Sequence, residues 1–143
     1  MILKARILTD VADANHFAYA EQAEFMEGDT PTIYFQIVDD SVEPDLRPRG
    51  RRYLPVAGAV CQVTMQSIVS GNTIVRECRM AFPDDDRSIF CFDILSTDII
   101  LGTRNLKLLL TESTSIGDGL YSTKLTHGFV EQGLVVRPAN PEF

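Results

Sequence analysis

Two short stretches hold the residue types from which chemistry could be built. In AFPDDDRSIFCFDIL, residues 81–95, three aspartates directly precede a run of phenylalanines and aliphatic residues. In DDSVEPDLRPRGRRYLP, residues 39–55, Asp39, Asp40, Glu43 and Asp45 give way to Arg47, Arg49, Arg51 and Arg52. Adjacent carboxylates can ligate calcium, and clustered guanidinium groups can grip carboxylates through paired hydrogen bonds. A calcium loop needs oxygens spaced so that several converge on one point. DDDRSIF lacks that spacing and has no second acidic cluster to complete it. Pro83 cannot donate to a ladder and aspartates favour turns, so the stretch reads as a solvated turn that delivers the chain into a strand. Asp84, Asp85 and Asp86 are expected to be exposed and free of metal.

The other reactive side chains form no catalytic pattern. There is no GxSxG elbow and no HExxH, and His16 and His127 stand at no triad spacing. Gly117-Asp118-Gly119 is a hairpin turn rather than a phosphate cradle. Cys61, Cys78 and Cys91 are odd in number, lack CxxC spacing and sit in apolar alternations, which reads as buried reduced thiols. Tryptophan is absent, and Tyr19, Tyr34, Tyr53 and Tyr121 follow no spacing that would set them in a row for stacking on sugar. No catalytic residue, cofactor or metal ligand is assigned, and a non-enzyme is expected.

The bulk numbers narrow the partners. A chain of 143 residues with 45% hydrophobic and 23% charged residues has room for one domain with a real core. Its net charge of −7 and pI near 4.7 are the opposite of a phosphate binder's, so no nucleic acid is expected. No apolar run approaches a membrane span, and no membrane partner is expected. Lys4 and Arg6 interrupt the apolar N-terminal stretch, which therefore lacks the form of a secretion signal and points to folding in a cytoplasm.

The elements that must position these residues are strands. Period-two alternation runs through PTIYFQIV, AVCQVTMQS, IVRECRMAF and NLKLLLTE. Strands are predicted at 2–8, 19–27, 31–38, 59–68, 73–82, 88–94 and 104–112, with a weaker pair within 119–137. Ser96 could cap a single helical turn before Gly102. A two-residue loop, Ser70-Gly71, would pair Cys61 with Met80 and Val63 with Cys78, keeping both apolar sets on one face. Ile89 and Cys91 are apolar on the opposite side of their strand, so an arm or a neighbouring subunit is expected to cover that face. The pattern predicts an all-β chain: a single immunoglobulin-like antiparallel β-sandwich with extended N- and C-terminal arms, with a small barrel as the alternative. Residues 1–143 form one domain, with 1–18 as N-terminal strand or arm, 39–55 as a long charged docking loop and 137–143 as a C-terminal tail.

The charged loop is stiffened by Pro44, Pro48 and Pro55, and loops of this length are usually functional or disordered. Its arginines suit contact with carboxylates on an equally acidic neighbour. Arg47, Arg49, Arg51 and Arg52 are therefore the candidate interface residues. Arg137 joins them, because RPANPEF does not read as a core strand.

The succession EGDTPTIYFQIVDD, RYLPVAGAVCQVTMQ, AFPDDDRSIFCFDI and a closing LVV strand resembles the immunoglobulin-like domains of tailed-phage virion structural proteins. The type is the N-terminal domain of upper-baseplate proteins. Gly28-Asp29-Thr30 and Asp84 to Phe92 carry the likeness, which spans residues 25 to 136. The arginine-rich loop departs from the type, and no receptor-binding or fibre segment is expected after the domain. The resemblance implies a virion protein assembled in the host cytoplasm. Its partners would be other virion proteins and copies of itself, in the tail, the baseplate or as a capsid decoration protein. The competing expectation is a solitary binding module for a carbohydrate or a host surface protein.

Overall fold

The computed structural model describes residues 3–39, 52–95, 98 and 102–138. Alternating apolar residues cannot bury one face singly, and among the described residues nine strands do so together. They are β1 (Leu3–Asp13), β2 (His16–Ala20), β3 (Ala23–Met26), β4 (Thr32–Asp39), β5 (Val60–Ser67), β6 (Thr73–Phe82), β7 (Asp86–Asp93), β8 (Gly102–Gly117) and β9 (Leu120–Arg137). The described residues contain no helix. The strands form one continuous sheet in the order β2-β1-β4-β7-β6-β5-β8-β9-β3. It curls until β1 lies against β9, giving a nearly closed, barrel-like shape. The all-β class is as expected, and the continuous sheet stands nearer to the small barrel than to two separate layers. One pairing departs from the antiparallel pattern: β3 runs parallel to β9. The seam between β1–β2 and β9 keeps a cleft of about 450 Å³ lined by residues that include Arg6, Tyr19, Glu21 and Val130.

Register explains the core. Ala20, Ile7, Phe35, Phe90 and Met80 stand directly across from one another on β2, β1, β4, β7 and β6. Side chains at such positions share a face. The Phe35 and Phe90 rings stack with centroids 6.0 Å apart. Val63, Met65, Leu106, Leu108 and Leu110 close the same core from the other half of the sheet. The opposite face of the first half is also buried: Gln36, Ile89 and Cys91 are all at most 2% exposed within the single chain. No neighbouring subunit is needed to cover Ile89 and Cys91.

The β5–β6 hairpin keeps the expected face and shifts the expected register. Asn72 C=O accepts from Ser67 N–H at 2.9 Å, and Ser67 C=O accepts from Gly71 N–H at 3.0 Å, so residues 68–71 form the loop. Cys61 therefore opposes Cys78 rather than Met80, and Val63 opposes Arg76 rather than Cys78. Ser67 Oγ explains the longer loop, because it accepts from Val69 and Ser70 N–H at 3.3 Å each. A slip of two residues preserves the faces. Cys61 and Val63 are buried and Gln62 is exposed.

The remaining strands differ from expectation in length and division. The segment predicted as one strand at 19–27 is divided between β2 and β3, and the weak pair within 119–137 is one long strand, β9. A bulge lets β9 curl: Arg104 faces Leu134 while Leu106 faces Val130. Three residues thus oppose Asn105, whose side-chain oxygen accepts from Gln132 N–H at 2.8 Å. Such bulges sharpen local twist and bend a sheet. Of the helical turn expected between Ser96 and Gly102, Asp98 is described without helical structure and Gly102 already begins β8. Residues 96, 97 and 99–101, and the centre of the charged loop with Arg47, Arg49 and Arg51, lie outside the described residues.

Candidate functional site

The triple-aspartate turn divides in two. Asp84 and Asp85 are exposed as expected, but Asp86 is 4% exposed, which corrects the expectation for that residue. It begins β7, where a register shift opposite Phe82 bulges the strand and sets its carboxylate beside Ser88, on the side of the sheet that Gln36 occupies, while its two neighbours stay in the turn. Its carboxylate is well supplied with donors. Ser88 Oγ–H donates to Oδ1 at 2.5 Å and Ser88 N–H to the same oxygen at 3.0 Å. Arg52 donates to Oδ2 at 3.2 Å.

The network continues across the sheet. Gln36 Nε2–H donates to Ser88 Oγ at 3.1 Å, and Tyr19 O–H donates to Gln36 Oε1 at 2.8 Å. The Arg6 guanidinium lies 5.4 Å from the Tyr19 ring centroid. Arg52, Asp86, Ser88, Gln36 and Tyr19 thus form a relay with every step satisfied. Buried polar groups are tolerable on such terms and costly otherwise. Ser88 has a carboxylate partner as a nucleophile would, yet it is fully buried and faces no histidine. The arrangement fixes strands to one another.

A second cluster ties residues 52–59 to β8. Tyr53 O–H donates to Glu112 Oε1 at 2.5 Å, and Val56 N–H donates to Oε2 at 3.1 Å. Lys124, directly across from Glu112, lies 5.8 Å from the Tyr53 ring centroid. Burial, reinforced by the Glu112 carboxylate, pushes the Tyr53 phenol up to about 12. The phenol is thereby held in its protonated, donating form and pins residues 52–59 to β8. Arg87 adds a further tie, donating to Pro55 C=O at 2.9 Å.

Arg52, a candidate interface residue, is thus engaged with Asp86 of its own chain. Arg137 reaches Glu24 at 3.5 Å, joining β9 to β3 near the open edge. On β6 and β7, Arg79 grips Asp93 with two hydrogen bonds of 2.9 and 3.2 Å. That grip and a bond from Thr32 hold the Asp93 carboxyl below its usual range. Arg76, which interrupts the apolar face of β6, meets Asp98. Cys61 and Cys78 face each other across β5 and β6, and all three cysteines are free thiols. The contact with Cys61 and burial both raise the Cys78 thiol above its ordinary range. Among the described residues, no group of three or more His, Cys, Asp or Glu side chains could hold a metal.

The site that sequence reasoning missed lies on the surface. Beyond Thr111, β8 has β9 on one side and no longer pairs with β5, so the hairpin projects as a two-stranded ribbon. Residues 113–125 are all exposed, including Ile116, Leu120, Tyr121 and Leu125. The turn at its tip is sound: Asp118 and Gly119 have φ of 51° and 74°, as a two-residue Asp-Gly hairpin turn requires. Comparison with protein-family models, curated proteins and solved structures finds no match.

Proposed function

We propose that this chain is a non-enzymatic structural subunit of a tailed-phage particle, holding subunits together in the tail or baseplate or as a capsid decoration protein. It would be assembled in the host cytoplasm, with other virion proteins and copies of itself as partners. Neither nucleic acid nor membrane has a part in this reading. The immunoglobulin-like character of the sheet belongs to the same proposal and rests on the turn motifs at residues 28–30 and 84–92.

The observation that carries the reading is the β8–β9 ribbon. A two-stranded ribbon is marginal in water, and one that exposes Ile116, Leu120, Tyr121 and Leu125 gains by meeting another surface. Its β8 edge, Ser113-Thr114-Ser115-Ile116, has none of the charges or prolines that guard a free edge. The relay and the Tyr53–Glu112 pin support the reading by using the polar groups for rigidity. Arg47, Arg49, Arg51, Arg52 and Arg137 stand as further candidate contacts with acidic neighbours.

The test is the identity of the flanking genes, together with a glycan array. Capsid or tail genes alongside, with no selective glycan retention, support the structural role. Selective retention of one glycan class, without virion genes nearby, would replace it with the solitary binding module.

A further inference from the structure

The outward face of β5, β8 and β9 carries an apolar patch whose composition singles out one occupant. Strand register sets Val60, Thr111 and Leu125 in one row, and Thr64, Lys107 and Phe129 in another. Between these rows run Glu77, Gln62, Leu109 and His127, and Tyr121 extends the patch along β9. Val60 is 54% exposed, Leu125 59%, Phe129 44% and Tyr121 67%. These side chains point away from the core, because their neighbours Cys61, Leu108 and Leu110 point into it.

We propose that this face is the contact through which a second copy of the chain docks, sheet against sheet about a two-fold axis. The inference rests on the structural-subunit reading and names the partner of its exposed surface. Charge is the first argument. The chain carries 20 acidic residues against 13 Lys and Arg, so two copies repel each other over most approaches. The outward positions 60–64, 107–115 and 121–129 hold Lys107 and His127 and no carboxylate. Here like copies meet without that penalty. The middle row adds complementarity, because it ends in Glu77 on one side and His127 on the other. An axis parallel to the strands, between β5 and β8, sets each Glu77 against the other copy's His127. Isologous contacts depend on self-complementarity of this kind.

Area is the second argument. Covering Val60, Leu109, Tyr121, Leu125 and Phe129 on both copies removes on the order of 1,000 Å², about the threshold for a biological interface and in the range of weak, reversible association. Sheets pack about 10 Å apart with side chains of this size interdigitating.

Sedimentation velocity over a wide concentration series tests the proposal. The wild-type chain should pass from monomer to dimer, and the double variant Leu125→Glu/Phe129→Glu should stay monomeric with an unchanged far-ultraviolet spectrum. Its dimer dissociation constant should rise at least about tenfold, equal to about 1.4 kcal/mol or more. If the double variant fails to fold, hydrogen exchange on the wild-type chain replaces it. Amides of 107–115 and 121–129 should then gain protection as concentration rises. A wild type that remains monomeric throughout, a folded double variant that dimerises like wild type, or exchange at these strands that ignores concentration would overturn the proposal. A monomer that is nonetheless found in purified particles would sink the dimer and spare the structural-subunit reading. A dimer absent from particles would do the reverse.

Discussion

Replacing Asp86 by Ala separates a buried, networked aspartate from two solvated neighbours in one turn. The substitution removes the acceptor of three hydrogen bonds, from Ser88 Oγ–H, Ser88 N–H and Arg52. Ser88 is fully buried, so its hydroxyl and amide lose a partner that water cannot easily replace, at about 1–3 kcal/mol per unsatisfied group. Arg52 is about one-third exposed and partly rehydrates, so its share falls well below the cost of breaking a fully buried ion pair. The expected loss is about 2–4 kcal/mol, or roughly 5–15 °C in Tm for a chain of this size. Asp84→Ala and Asp85→Ala, by contrast, should each stay within about 0.5 kcal/mol, as exposed turn substitutions do. Chemical denaturation of the three variants side by side is the assay. Equal stabilities for all three would refute the reasoning, since the relay would then contribute nothing.

Two further outcomes follow from the same geometry. Tyr53 should titrate near 12 by phenolate absorbance, with Tyr53→Phe removing that step. Because its folded value lies above the unfolded value of about 10, its contribution to stability is complete below that pH and is lost as pH rises toward 12. The thiols of Cys61, Cys78 and Cys91 should resist a thiol reagent in the native chain and all react on unfolding, because Cys61 and Cys91 are buried and Cys78 is held protonated. Rapid native labelling of any of the three would contradict this placement.

How much of this was legible before the structure depends on which physical signal each residue carried. The faces of β4, β5 and β6 were readable because their alternation is strict and a buried face tolerates no odd slip. The loop between β5 and β6 was not, since an even slip leaves that pattern intact and Ser67 Oγ decided it locally. Asp86 was misread by composition: three aspartates in a row look like one solvated unit. Parity with Phe90 and Phe92 gave no guide, because the bulge between Asp86 and Phe90 breaks the alternation, and Arg52 and Gln36 that complete the network come from distant segments. The length of β9 was obscured because Ser122, Thr123, Lys124 and Thr126 dilute the apolar pattern on a ribbon with no core face to fill. The parallel addition of β3 had no local signal. It depends on the bulge at Gln132 and on curvature across the whole sheet.

The central claim is that this chain is a building block of a particle, and quantitative peptide mass spectrometry of gradient-purified virions tests it most directly. The account predicts that the chain co-sediments with particles at a fixed ratio to the major capsid protein and survives washing at moderate salt. Recovery only in the soluble fraction, or at trace levels that vary between preparations, would contradict it.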